Sequence, residues 1–270
     1  PRPRSTTAPR STTAPHGTTG PSGTTTPAPT ARRSWLAVLR ADPAFARLLR
    51  GATVLVVATG LLLAGCPYYA EHVLHRPGMT GVLIAAFVLP NLFTTGLWRR
   101  LGARRGRRRA LVLACGLFAG GTLLLAAAPV LPLFWAPAVL LVVGTGHAGQ
   151  LLFLYGMLAD VSAADAARAG ESRAGSLSGL FSAGEALGLA VGPFLTGLTL
   201  QLSGYTSSDT GQAAGQTAGA QWGVLLAMSL LPALATTAGL TLLPRPEKAT
   251  EYGRSGTRGT FRGLDAAPGR

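Results

Sequence analysis

Long stretches without any charged side chain dominate this chain of 270 residues, counting histidine as neutral. A helix needs about 20 mainly apolar residues to cross the hydrocarbon core of a bilayer, and each stretch reaches that length. A soluble helical core would instead show polar faces at a period of 3.6 residues, and the segment from Leu111 to Leu125 shows none. The pattern therefore predicts a membrane protein. The uncharged stretches are residues 51–70, 77–98, 110–159, 186–208 and 210–244.

The stretch 110–159 is too long for a single crossing. Pro129 and Pro132 lie within it, and because proline ends or kinks helices we expect two helices with a turn there. A further span is interrupted only by Glu185. The predicted fold is an all-α membrane protein with a six-helix bundle over 35–243. The expected spans are about 51–71, 79–98, 110–128, 132–158, 175–203 and 221–243.

Nearly all of the positive charge falls on one side of these spans. Lys and Arg outnumber Asp and Glu by 24 to 10, and only Arg76 lies in the three connections on the opposite side. Lys and Arg are enriched in cytoplasmic loops, so we expect a multi-pass protein of the cell (plasma) membrane with both termini in the cytoplasm. The seven arginines of 99–109 could also suit a nucleic-acid-binding patch. Between two apolar spans, a cytoplasmic loop beside the lipid bilayer explains them better, and no nucleic-acid partner is expected.

The two ends of the chain have a different composition. Residues 1–34 are rich in Pro, Thr and Ser, with a six-residue repeat running from Pro3, and have little apolar surface to bury. They are predicted to form a disordered linker. Residues 244–270, rich in Arg, Gly and Pro, are predicted to form a disordered basic cytoplasmic tail. Because the chain begins at Pro1 rather than at Met, we expect it to be a piece of a longer protein.

One acidic side chain, Glu185, lies deep within a predicted span. A carboxylate at a helix centre costs about 2.5–3.5 kcal/mol on insertion scales, so we expect it to face a bundle interior or a wet cavity. Ser182 precedes it by three residues and shares its helix face. We predict that both line a substrate or ion pathway, where Glu185 would couple an ion, take a proton or contact solute. The alternative for Glu185 is a structural hydrogen bond.

Three more polar residues of the spans are candidates for the same pathway. His147 and Gln150 are three residues apart on one helix face, among several glycines. Asn91 follows Pro90 in the second span. The alternatives are structural, since His147 could donate to a nearby carbonyl and Asn91 could bridge backbone groups that the proline leaves unpaired.

Small residues and cysteines have simpler interpretations. Gly184, Gly188 and Gly192 repeat every fourth residue, a pattern typical of helices that pack closely. Cys66 and Cys115 lie in apolar spans and are expected to be small buried hydrophobes. We find no nucleophile beside a histidine base, no phosphate-binding loop and no metal-ligand spacing in the sequence. We therefore predict that the chain is not an enzyme and that it binds neither a cofactor nor a metal ion.

Four segments between residues 35 and 243 carry a resemblance to a known family. They resemble the C-terminal six-helix half of a major facilitator transporter, and most closely the glycoside–pentoside–hexuronide:cation symporter (melibiose permease-like) family. The most specific segment resembles that family's loop between its tenth and eleventh helices. The segments are Asp42-Pro-Ala-Phe-Ala-Arg-Leu-Leu, Pro67-Tyr68-Tyr69-Ala70-Glu71-His72-Val73-Leu74, Leu97-Trp98-Arg99-Arg100-Leu101 with the arginines after it, and Met157-Leu158-Ala159-Asp160 followed by Asp165, Arg168, Gly170, Arg173 and Gly175.

The resemblance implies a secondary transporter that works by alternating access. A small solute would bind near the bilayer midplane between this bundle and a missing N-terminal six-helix half, together with a sodium ion or proton as coupling ion in sugar/cation symport. The loop residues Asp160, Asp165, Arg168 and Arg173 would form a cytoplasmic gate, or the two arginines would merely mark the cytoplasmic side. At the position of a lysine that the family carries in its eleventh helix, this chain has Ala186.

Two alternatives to sugar/cation symport stay open. The missing lysine favours a major facilitator exporter of drug-like or lipid-like molecules. The chain could also be a non-transporting six-helix membrane fragment that scaffolds a partner. Acidic residues in the second and fourth helices of an upstream half would favour symport over export.

Overall fold

The computed structural model describes residues 42–169, 174–205 and 218–244, and within these ranges the chain is helical without a strand. The predicted linker 1–34 lies outside the described residues, as does the predicted tail beyond residue 244. Short 3₁₀ turns lie at Pro77–Met79 and Leu125–Val130, and the remaining elements are α-helices. The helices are α1 (Pro43–His72), α2 (Thr80–Val88), α3 (Pro90–Phe93), α4 (Thr95–Arg105), α5 (Arg107–Leu124), α6 (Trp135–Ala169), α7 (Ala174–Leu202), α8 (Ala218–Met228) and α9 (Leu230–Leu242).

Five helical segments of the described residues are long and apolar enough to cross a membrane, which makes this a multi-pass fold. They are Pro43–His72, Arg107–Ala127, Trp135–Arg168, Ala174–Leu202 and Gly219–Leu242. The second span expected from the sequence falls on α2, α3 and α4 instead of on one helix. A sixth span results only if Pro77–Phe93 and Thr95–Arg105, which are bent by 55° relative to each other, are taken together.

The bend between α3 and α4 has a local cause. The Thr94 hydroxyl donates to the Pro90 carbonyl at 2.7 Å, and the Thr95 hydroxyl donates to the Asn91 carbonyl at 3.0 Å. Hydroxyls that bond back to the preceding turn compete with helical N–H groups and bend helices. Pro90 accounts for the earlier break between α2 and α3, because it has no backbone N–H to donate to the Ala86 carbonyl.

Helix α1 begins at a strong cap. Asp42 accepts hydrogen bonds through Oδ1 from the backbone N–H groups of Ala44 and Phe45, at 2.9 and 3.1 Å, and Pro43 occupies the first helical position. Such a cap contributes about 0.5–2 kcal/mol. The other carboxylate oxygen of Asp42 accepts from Arg168 Nη2 at 3.3 Å. The start of α1 is thereby joined to the last turn of α6.

The bundle packs around α1, whose most extensive contacts are with α7 and α9. Its buried side chains form two apolar clusters, one toward each end of the helices. The cluster at the α1 C-terminal end includes Leu62, Tyr69, Phe87, Phe118 and Met228. The cluster at the α1 N-terminal end includes Phe45, Leu55, Trp98, Phe153 and Phe181.

The glycine stripe of α7 packs against α1, as its spacing predicts. A Cβ built at Gly192 would lie 2.6 Å from the Cα of Gly60, and one at Gly188 would lie 2.7 Å from the Thr53 carbonyl oxygen. Both distances are too short for any side chain, so the two backbones are in direct contact. These glycines serve packing together with buried Thr196, which donates to the Leu61 carbonyl of α1, whereas Ser182 and Glu185 lie elsewhere on the helix.

Two aromatic residues that suit the membrane interface by sequence are core residues instead. Trp98 is buried, packs edge-on against Phe153 and donates from Nε1 to the Thr145 carbonyl at 2.8 Å. Tyr69 is buried and donates to the Leu125 carbonyl at 2.6 Å. An interfacial aromatic needs one end in contact with water, and here each polar tip finds a carbonyl inside the bundle. Cys66 and Cys115 are buried free thiols, as expected.

Candidate functional site

A polar contact between α1 and α6 lies between the two apolar clusters. Thr59 Oγ1 and His147 Nδ1 are 3.4 Å apart, and Thr59 is buried. The imidazole ring lies 5.0 Å from the ring of Phe87 and 6.3 Å from that of Phe118, centroid to centroid. His147 is therefore held by one hydrogen-bonding partner and two aromatic neighbours near the middle of the bundle.

Glu185 of α7 accepts a hydrogen bond from Tyr155, which is not among the site residues predicted from the sequence. The Tyr155 hydroxyl on α6 donates to the Glu185 carboxylate, lying 2.9 Å from Oε1 and 3.0 Å from Oε2. The Tyr155 ring packs 5.6 Å from the ring of buried Phe181, one turn before Glu185. The pair bridges α6 and α7, and Tyr155 remains 49% exposed.

The helix face that carries Glu185 is open. Only 28% of the most apolar stretch of α7 is buried, against 61% for α1. Ser182 is exposed beside Glu185, and Leu187 and Phe194 on the same helix are 58% and 68% exposed. Glu185 itself is half-buried at the contact between α6 and α7, and the side of α7 that faces α1 is occupied by the glycines.

Gln150 and Asn91, the other two pathway candidates within the spans, differ in how deeply their side chains are buried. Gln150 is 2% exposed, and its Nε2 has no hydrogen-bond partner among the described residues. Asn91 is half-buried on α3, and its Oδ1 also lacks a partner within the described ranges. In this conformation Gln150 cannot contact a solute on the open face of α7, and no hydrogen bond between described residues joins either amide to Glu185.

The proposed gate residues find partners inside this bundle. Asp160 accepts a hydrogen bond from Arg107 at the start of α5, and Arg168 pairs with Asp42 as described above. The Oδ2 atom of Asp165 is buried without a hydrogen-bond partner among the described residues. Arg173 lies outside the described residues. Both observed pairs join parts of this bundle to each other.

Tyr155 could have been found from one sequence signal. It lies in the same apolar span as His147, a little over two helical turns further along. A tyrosine in the middle of a leucine-rich span carries a hydroxyl that needs a partner. Its pairing with Glu185 could not be predicted, because nothing in the sequence says which faces of α6 and α7 lie beside each other.

Comparison with known families decides the class of this bundle. A family model described as MFS/sugar transport protein matches residues 10–246. The chain belongs to this family. None of the curated proteins compared matches the chain. The MFS/sugar transport family is one of transporters and not of enzymes, and the apolar helices agree with a multi-pass membrane protein of the major facilitator type.

Proposed function

We propose that this MFS chain is the C-terminal half of a secondary transporter that carries a small solute by alternating access, in sugar/cation symport. It lies in the plasma membrane with both termini in the cytoplasm, and the bent segment from α2 to α4 forms the second of six spans. An N-terminal six-helix half completes the molecule. The solute binds between the halves, and rocking of one half against the other exposes it to each side in turn.

The position of Glu185 is the observation that carries this proposal. The half-buried carboxylate lies beside the open face of α7, and exposure to hydrocarbon would cost about 2.5–3.5 kcal/mol. One hydrogen bond to a charged group returns about 1.5–3 kcal/mol, so Tyr155 offsets a large part of that cost but leaves little or no net stabilisation. The face is stable when water or a second half covers it. A water-lined interface between two halves is where a transporter binds its solute.

Glu185 provides the chemistry for coupling in this arrangement. Its ionised carboxylate accepts the Tyr155 hydrogen bond and has lone pairs left for solute hydroxyls, a sodium ion or a proton. Uptake of a cation or proton neutralises the group and thereby changes its cost on the open face during rocking. Ser182 adds an exposed hydroxyl on the same helix. His147 and Asn91 belong to the surrounding pathway, and buried Gln150 supports it from inside the bundle.

Export of drug-like or lipid-like molecules is the second candidate, and one observation favours it. The open face of α7 is largely apolar around Glu185, with Leu187, Leu189 and Phe194 each at least 46% exposed. An apolar wall with few polar groups suits a hydrophobic solute better than a sugar. Ala186, where the family carries a lysine, removes a further polar contact.

Uptake measurements on cells that express the full-length transporter distinguish these functions. Symport predicts saturable accumulation of a radiolabelled sugar that stops when either the sodium gradient or the proton gradient is collapsed. Export predicts instead lower cellular retention of a lipophilic fluorescent dye. Absence of both activities in a protein that reaches the membrane would contradict the transport proposal and favour a scaffolding role.

A further inference from the structure

A cavity away from the open face of α7 lies at the end of the bundle where α1 begins. It has a volume of about 260 Å³ and is enclosed by the ends of α1, α5, α6 and α9. Its walls are mainly apolar and include Leu111, Val161, Leu240 and Leu243. Leu111 and Leu243 are 3% and 6% exposed, so the floor of the cavity belongs to the packed core.

Two arginines, Arg107 and Arg108, line the same cavity. Arg107 donates to Asp160, the one acidic residue of the cavity lining, and also lies 3.4 Å from the Gly156 carbonyl. The charge of Asp160 is therefore already paired. Arg108 is exposed and has no ion pair or hydrogen bond to its side chain within the described part of the chain. The cavity thus combines an apolar floor with one unpaired positive charge.

We propose that this arginine-lined cavity binds an anionic phospholipid of the adjacent leaflet. The lipid phosphate lies at Arg108, and the first methylenes of the lipid contact Leu240 and Leu243. Basic pockets between the ends of transmembrane helices recognise anionic head groups, and an arginine fork matches phosphate geometry. The seven arginines of 99–109, with no acidic residue among them, place the cavity in a strongly positive surface.

A lipid explains both parts of the cavity, whereas free phosphate explains only one. Inorganic phosphate would use Arg108 and leave the apolar floor without a contact. A phospholipid carries a phosphate and an apolar chain in one molecule, and the bilayer supplies it at the level of the helix ends. The site is independent of Glu185 and of the transported solute.

Lipid titration of the purified full-length transporter, followed by native mass spectrometry, tests this site. The probes are phosphatidylglycerol, phosphatidylcholine and sodium phosphate in a neutral detergent. We expect phosphatidylglycerol to bind more tightly than phosphatidylcholine, and Arg108→Gln to weaken it about fivefold, the effect of one basic residue at a lipid surface. Arg109→Gln is the matched control, because Arg109 is also exposed but lines a different cavity. It should change phosphatidylglycerol affinity by less than half of that factor.

A second pair of variants tests the apolar part without changing charge. Leu240→Trp fills the cavity and should reduce phosphatidylglycerol binding, while Leu234→Trp, on an exposed part of α9, should not. Equal affinity for the two lipids would overturn the proposal, as would equal losses in Arg108→Gln and Arg109→Gln. Displacement of the lipid by equimolar inorganic phosphate would assign the cavity to the free anion instead. Because this assay measures no transport, its failure is distinguishable from failure of the transport proposal.

Discussion

Glu185→Gln is expected to abolish or uncouple gradient-driven uptake while leaving expression and membrane insertion intact. Glutamine has the same shape and can still accept the Tyr155 hydrogen bond, but it cannot ionise. A coupling free energy of ~1–3 kcal/mol predicts a loss of about 5–150-fold in uptake driven by the gradient. The residual transport should depend less on pH than that of the unmodified protein, because glutamine neither binds nor releases a proton. Radiolabelled solute uptake at several pH values measures both effects.

The matched control for this variant is Glu71→Gln. Glu71 undergoes the same chemical change but lies at the C-terminal end of α1, 45% exposed beside His72. It should leave uptake nearly unchanged. Tyr155→Phe should give a smaller loss than Glu185→Gln, because its ring stays against Phe181 while the hydroxyl donor is removed. Unchanged transport with an unchanged pH dependence in Glu185→Gln would refute the coupling role.

Gly192→Ala is expected to destabilise the bundle strongly. The new methyl group would lie 2.6 Å from the Cα of Gly60, and backbone atoms cannot move aside as a flexible side chain can. Overpacking of this kind costs about 1–3 kcal/mol and forces α7 away from α1. The measurement is the thermal unfolding midpoint of the full-length protein in detergent, together with the yield of monodisperse material.

Gly197→Ala is the control for the glycine contact. Gly197 lies in the same helix, and a Cβ there would have nothing within 4 Å. It should leave the unfolding midpoint unchanged or raise it slightly, because alanine favours helix more than glycine does. Equal midpoints for the two variants would mean that α1 and α7 do not pack through Gly60 and Gly192.

The parts of this fold that follow from a one-dimensional pattern were predictable. Uncharged stretches of bilayer length predict helices, and a repeat of small residues such as Gly184, Gly188 and Gly192 predicts close packing. Both properties depend only on residues within one helix. The bend after Phe93 is harder to predict from the sequence. Thr94 and Thr95 bend the chain only when their hydroxyls form hydrogen bonds to the preceding turn.

Properties that depend on two helices could not be derived in this way. Trp98 resembles an interfacial residue by sequence, and it is buried because Thr145 on α6 offers a carbonyl to its indole. The Tyr155 partner of Glu185 depends on the rotation of α6 relative to α7. The pairing of Arg168 with Asp42 joins residues 126 positions apart. For each of them, the sequence supplies a group that needs a partner, and the partner follows only from the packing.

Cysteine labelling in intact cells tests most directly the central claim, which is that apolar helices cross the membrane with the arginine-rich connections on the cytoplasmic side. The native thiols Cys66 and Cys115 are 0% and 2% exposed and should stay unlabelled by a membrane-impermeant maleimide. Arg104→Cys reports on the connection before α5, and Gly78→Cys reports on the opposite side, where a Cβ has open space. The account predicts that Gly78→Cys is labelled from outside and that Arg104→Cys is labelled only after the cells are permeabilised. Labelling of Arg104→Cys in intact cells, with Gly78→Cys protected, would contradict it.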